Sequence, residues 1–453
     1  MEKFNIVFVF ADQMRGQDVE CLGESDVKTP NLNKLADCGC IFKNAFSNTP
    51  VCTPARGSIL TGLYSFSHLA IANDLPVRKD IESIATILKR YGYKTGYIGK
   101  WHLDGVPRDK FIKKENRLGF EKWAGWECDH RYFQTEYHTD TPEKIKINGY
   151  APEFQTKLAI DFIEENKENP FVLFVSYEPP HEPYNQVPEK FKIYNPEKIK
   201  LRENVVADKV NVENAKEIVS FYYSAITGLD FYTGEIIKAL DRNKIREKTV
   251  FIFTSDHGDM LFSQGMEKKQ SSWEESIRIP FIINCPGYIP EKFVSDCLIS
   301  SVDFVPTLLG LLDIKEGYKF EGVDLSEFIK GVSEKKQKDV LIHIPVPVDH
   351  AVEQGIKEWF GIRTYEYTYA ENSDGEWLIY NNIEDPFQLV NLAGKEKEIG
   401  EELRNLMYEK MKKFNIEFLP WQEQIKKYGL VEEWNEREKY MYPGKPGVIR
   451  RKI

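Results

Sequence analysis

The chain has 453 residues, 42% hydrophobic and 29% charged, an ordinary balance for a globular enzyme and too long for one small core. Its net charge of -10 excludes a general nucleic-acid binder, which needs a basic face to neutralise phosphates. No run approaches the roughly 18 apolar residues of a membrane helix, and the apolar start is too short for a secretory leader, so a cytoplasmic protein without membrane contact is expected.

Up to residue 345, short apolar runs alternate with helical patterns, which predicts an α/β domain with a mainly parallel sheet covered by helices. Predicted strands are Asn5–Phe10, Lys94–Gly99, Pro170–Ser176, Thr249–Thr254 and Pro280–Asn284. Thr29-Pro30 offers an N-cap and a first helical position, and Glu82–Tyr91 ends at Gly92, a natural C′ residue. Ala215 to about Asn243 is a long periodic helix, and Ser301–Leu312 follows a capping Ser or Asp. Beyond Pro345-Val346-Pro347 the texture changes. Trp359–Tyr369 and Trp377–Tyr380 alternate as antiparallel strands do, with Asp374-Gly375 as the turn between them. A charged helix over about Lys395–Phe414 and an irregular tail follow, so 1–345 is expected as a catalytic domain and 346–453 as a smaller α+β domain.

The seven cysteines are an odd number without framework spacing and read as reduced thiols. Cys38-Gly39-Cys40 lacks a second Cys/His pair for a zinc site.

Polar groups repeatedly follow predicted strands: Asp12 and Gln13, Lys100 and His102, His181, and Asp256 with His257. In an open parallel sheet such positions converge at one edge, where ligands bind. Between them lies Val51-Cys52-Thr53-Pro54-Ala55-Arg56. Thr53-Pro54 reads as an N-cap and first helical residue, which sets Cys52 just outside the positive end of a helix. Arg56, one turn on, reaches the same spot, and a thiol there is electrostatically activated.

Cys52-x-Pro54-x-Arg56 with Thr61-Gly62 resembles the maturation motif of the formylglycine-dependent sulfatases, in the alkaline phosphatase superfamily. It is joined, in the family's order, by Ala11-Asp12-Gln13, Gly99-Lys100-Trp101-His102, Pro179-Pro180-His181, Ser255-Asp256-His257-Gly258 and Lys269-x3-Trp273 through Pro280. Asp385-Pro386-x4-Val390-Asn391-Leu392 resembles the family's C-terminal ending.

The resemblance implies that a maturation enzyme oxidises Cys52 to formylglycine. It implies that Asp12, Asp256 and His257 hold a divalent metal, completed by Gln13 and matured residue 52. Family habit and the oxygen donors point to calcium. Gln13 stands where many members have a second aspartate and His257 where many have asparagine, which also admits manganese or zinc. It further implies His181 as the acid for the leaving oxygen, His102 as proton carrier for residue 52, Lys100 and Lys269 as partners of the sulfate oxygens, and Arg56 as the support of the nucleophile. His68, His138 and His343 match no motif position and are expected to be structural.

The segment Trp123–Phe133 mixes aromatics with charges, which suits a sugar, so Trp126, His130 and Arg131 are substrate-binding candidates, joined by His350 and Arg363 at the rim. A sulfated carbohydrate is the expected substrate. A phosphodiesterase or phosphonate monoester hydrolase on the same fold, and an unmatured glycan-binding protein, are the alternatives.

Overall fold

The computed structural model describes residues 3–315 and 317–443. Eight strands form the main sheet: β1 Asn5–Asp12, β2 Cys40–Phe46, β3 Lys94–Lys100, β4 Lys122–Trp126, β5 Phe171–Pro180, β6 Thr249–Ser255, β7 Phe281–Asn284 and β8 Phe293–Ser300, in the order β8-β2-β7-β6-β1-β5-β3-β4. All neighbours pair in parallel except β7, which runs antiparallel to both β2 and β6. The central strands read as unbroken apolar runs because both faces of the sheet are covered. Along β1, Ile6, Phe8 and Phe10 enter one core and Val7, Val9 and Ala11 the other.

On the Phe8 face pack α2 Cys52–Thr61, α3 Ile84–Arg90 and α6 Phe304–Leu311. On the Val9 face pack α1 Pro30–Asp37, α4 Ala151–Asn166 and the long α5 Val212–Arg242. The predicted stop at Gly92 is present, with φ 81°, and Ser83 caps α3 through a reciprocal pair with Thr86. Ser300 and Asp303 form the same kind of box ahead of α6. At α1, Thr29 occupies the N-cap position but its hydroxyl accepts from the Glu20 amide instead of capping the helix.

The second sheet is antiparallel, in the order β9 Asp339–Ile344, β10 Trp359–Thr364, β11 Tyr367–Asn372, β12 Gly375–Asn381. It therefore begins ahead of the predicted 345/346 division. Asn48 ties it to the main sheet, donating to the Leu341 carbonyl and accepting from the His343 amide. The chain continues through α7 Lys397–Lys413, α8 Trp421–Lys427 and α9 Val431–Met441. The expected irregular tail is thus helical as far as Met441; residues 444–453 lie outside the described residues. Among the described residues all seven cysteines are free, and no helix is long and apolar enough to cross a membrane.

Candidate active site at the carboxyl edge of the sheet

The register of β1 with β5 and β6 carries Asp12, at the end of β1, and Asp256, just past β6, to one edge. β3 delivers Lys100 there. Its Gly99 has φ 110° and backs onto the Ser176 carbonyl so closely that a Cβ would lie 2.1 Å from it.

Cys52 is the first residue of α2, with Val51 as N-cap, and not the residue outside it; Thr53 does not cap the helix. The Thr53 amide is instead satisfied by Asn73 Oδ1 at 2.9 Å. All ten residues of α2 are buried, so the dipole at its N-terminus acts in a medium with little water. Around the Cys52 sulfur stand His257 Nε2 at 3.3 Å, Lys269 Nζ at 3.3 Å, Lys100 Nζ at 3.8 Å and Asp12 Oδ1 at 3.7 Å. Burial works against the thiolate, but Lys100, Lys269 and His257 together hold the thiol well below its ordinary range.

Arg56 is fully buried beneath this group. Its guanidinium reaches Asp12 Oδ2 at 3.1 Å and Asp256 Oδ2 at 3.0 Å, and donates to Ser176 Oγ and the Lys100 carbonyl. Lys100 Nζ meets the same Asp12 oxygen at 2.5 Å. Burial and the nearby Cys52 push the Asp12 carboxyl up, yet Lys100, His181 and Arg56 outweigh them and hold it well below the usual range. Asp256 goes the other way, raised by burial and by the charge of Asp12.

One donor atom each from Asp12, Cys52, Asp256 and His257 lies within 4.8 Å of every other. His257 Nδ1 pairs with the Gly258 carbonyl at 2.9 Å, which leaves Nε2 facing inward. The donor set fits a divalent cation. Gln13 is held beside it, its Nε2 donating to Asp259 at 2.6 Å and Glu182 at 2.9 Å, which aims Oε1 at Lys269 Nζ, 2.6 Å away.

His102 and His181 flank the cluster. His102 pairs through Nε2 with Asp74 at 2.9 Å, and although burial pulls its imidazole down, Cys128, Asp74 and Cys52 lift it to about 9. His181 pairs through Nδ1 with the Glu182 carbonyl at 2.8 Å and stacks face to face on His130 at 4.3 Å.

The substrate candidates divide. Trp126, His130 and Arg131 line a cleft of about 260 Å³, but the Trp126 indole donates to buried Glu178 at 2.7 Å and Arg131 pairs with Asp129 at 2.6 Å. His350 Nε2 accepts from the Lys269 amide at 3.4 Å, and burial with the nearby lysines pushes its imidazole down to about 3. Arg363 is turned away, paired with Glu274 at 2.8 Å and lining a separate cleft that contains none of the groups around Cys52. His68 and His343 are buried among hydroxyls as expected, and His138 donates and accepts through its backbone with Gly125. Sequence reasoning missed Asn73, Asp74, Glu182 and Asp259. Glu182 and Asp259 adjoin motif residues, whereas nothing near Asn73 and Asp74 in the chain marks them.

Residues 4–314 match the family model of the sulfatases, and residues 263–417 match that of the N-sulphoglucosamine sulphohydrolase C-terminal region. An ulvan-active sulfatase of Formosa agariphila is 36% identical over 438 residues, covering 95% of this chain and 85% of that protein. An N-acetylglucosamine-6-O-sulfatase of Bacteroides thetaiotaomicron is 24% identical over 90% of this chain and 86% of its own length. The crystal structure of the Bacteroides fragilis yidJ protein superposes with a TM-score of 0.85 at 29% identity, covering 92% of this chain and 97% of that one.

Proposed function

The chain belongs to the sulfatase family of the alkaline phosphatase superfamily and is a sulfuric ester hydrolase, and from that premise we propose that it removes sulfate from a carbohydrate through formylglycine made from Cys52. The observation that carries this reading is the convergence of two lysines, a histidine and a buried carboxylate on the sulfur of residue 52. A sugar as the leaving group is supported by relatives whose names specify ulvan and N-acetylglucosamine 6-sulfate.

Hydrated formylglycine carries two hydroxyls on one carbon, so one can take the sulfate and the other can release it by C–O cleavage, an exit a serine lacks. Lys100 and Lys269 sit where they neutralise the sulfate oxygens as charge develops. His181 gives its proton to the departing sugar oxygen. His102 takes the proton of the residue-52 hydroxyl, and Arg56 fixes Asp12 and Asp256 in place. Asp12, Asp256, His257 and residue 52 would hold a divalent cation, with Gln13 beside them to complete the shell, and the cation would supply positive charge to the nucleophile and to sulfate. Calcium is the proposed ion, with manganese or zinc admitted by the imidazole of His257.

The protein co-expressed with a formylglycine-generating enzyme should release sulfate from one or more of a panel of sulfated mono- and disaccharides. Cys52→Ala and a chelator should each abolish that release. Silence with residue 52 matured, as read by mass spectrometry, sinks the carbohydrate reading. Faster turnover of phosphate diesters or phosphonates would then identify the hydrolase alternative, and saturable glycan binding with an intact thiol the binding one.

A further inference from the structure

The residues that touch Cys52 are themselves held from behind, and at His102 the holding is done by a loop that no motif of the chain marks. His102 has φ 57° and Asp74 φ 67°, in the left-handed region where few residues other than glycine sit and where Asp and His are among those that do. Both side chains are buried, and His102 Nε2 meets Asp74 Oδ1 at 2.9 Å. The buried His102 ring also makes a hydrogen-bonding contact with the Cys52 side chain, and Nδ1 has no other partner. The nitrogen left for residue 52 is therefore Nδ1.

Three further contacts fix Asp74. Arg108 grips it with both arms of its fork, Nε to Oδ1 at 2.6 Å and Nη2 to Oδ2 at 2.8 Å. The Asp74 amide donates to Thr53 Oγ1 at 3.2 Å and Asn73 Oδ1 receives the Thr53 amide, so the loop is stapled to the first turn of the nucleophile helix. From α9, the buried Arg437 donates to the Asn73 carbonyl at 2.8 Å, stands 3.8 Å from Asp74 Oδ2 and pairs with Asp349 at 2.9 Å. Tyr440 of the same helix accepts the Arg108 amide at 3.2 Å.

We propose that Asp74 is a positioning residue that fixes the His102 ring with Nδ1 toward residue 52, and that the C-terminal helix is part of the active site through Arg437. This rests on the reading of His102 as the proton carrier of residue 52. A carboxylate on Nε2 holds a proton there in both charge states of the ring, so Nδ1 is the nitrogen that exchanges a proton with residue 52. Arg108 and Arg437 keep Asp74 ionised and immobile, and because Arg437 comes from α9, the end of the chain must be docked before the ring is set.

The test is a double-mutant cycle on matured, full-length enzyme. Asp74→Asn should lower kcat on the order of 10–100-fold with KM little changed, the range found when a partner behind a working group is removed. In a His102→Gln background the same substitution should cost nothing further, and Arg437→Met should follow the pattern with a smaller loss. Equal losses in both backgrounds, or an unchanged kcat, overturn the proposal. If Asp74→Asn fails to fold, the cycle with Arg437→Met decides by the same criterion. Independently of any substrate, the ¹⁵N spectrum of histidine-labelled wild type, assigned with His102→Gln, must show a proton on His102 Nε2, and its absence overturns the pairing. Silence on every sulfate ester with that proton present removes the reading of the reaction and leaves the pairing standing.

Discussion

His181 has one ring nitrogen occupied and one to spare. Nδ1 pairs with the Glu182 carbonyl, so Nε2 is the atom that can meet a leaving oxygen. An acid matters in proportion to how badly the leaving group needs a proton. His181→Ala should therefore cost roughly 10²–10⁴-fold in kcat on a sugar sulfate and far less on the sulfate ester of an acidic phenol. Equal losses on both esters would remove His181 from that role. Much of this site was legible residue by residue, because polar side chains just past buried parallel strands have one edge to go to, as Asp12, Lys100 and Asp256 do. Asp74 was not legible, since its partners His102 and Arg108 come from the loop after β3 and Arg437 from the C-terminal helix, and no local pattern marks it. Trp126 lines a cleft with His130 and Arg131, and its indole N–H is anchored inside by Glu178.

At the scale of elements, α2 shows how the nucleophile is kept rigid. Gly57 lies in its middle, where helix propensity alone favours alanine by roughly 1 kcal/mol. A Cβ at Gly57, however, would stand 2.5–2.8 Å from three atoms of the His68 ring, itself buried against Ser58. Overpacking of that kind costs roughly 1–3 kcal/mol, so the clash outweighs the propensity. Gly57→Ala should lower the melting temperature and, by tilting the helix, lower sulfate release as well. A variant that melts higher than wild type would mean that His68 moves aside freely. The elements that escaped sequence reasoning are instructive. β2 carries Lys43 and Asn44, and β8 carries Ser295 and Asp296 at the point where its register with β2 shifts, so neither alternates cleanly. β4, Lys122–Trp126, was hidden inside a segment whose aromatics resemble a binding loop. The central strands were easy because burial on both faces leaves no choice of residue type.

The two sheets are joined across a seam that buries imidazoles, and this makes the stability of the whole molecule respond to acid. His343 on β9 meets Ser65 Oγ at 2.9 Å and Thr49 Oγ1 at 3.1 Å, while His68 lies against Ser58, and burial pushes each from 6.5 down to about 3. A base depressed in the folded state contributes stability that is complete above 6.5 and is lost as pH falls from 6.5 toward 3, because the unfolded chain takes the proton first. At pH 5 the loss is about 2 kcal/mol for each such histidine, since every pH unit below the unfolded value costs roughly 1.4 kcal/mol. Other groups oppose this. Burial raises Glu127 to about 8 and Asp230 to about 6, and acidification through those values favours the folded state. Asp12 and Asp74 are held low and begin to lose stability only below their ordinary 3.8, outside this window. The melting temperature of wild type is thus a difference of opposing contributions, and the informative quantity is its gap to His343→Gln. Glutamine fills much of the same space but takes no proton. The gap should shrink by the equivalent of about 2 kcal/mol between pH 7 and pH 5, read from melting curves at matched ionic strength. A gap independent of pH would mean that His343 is not buried neutral, and that the seam between the sheets admits water.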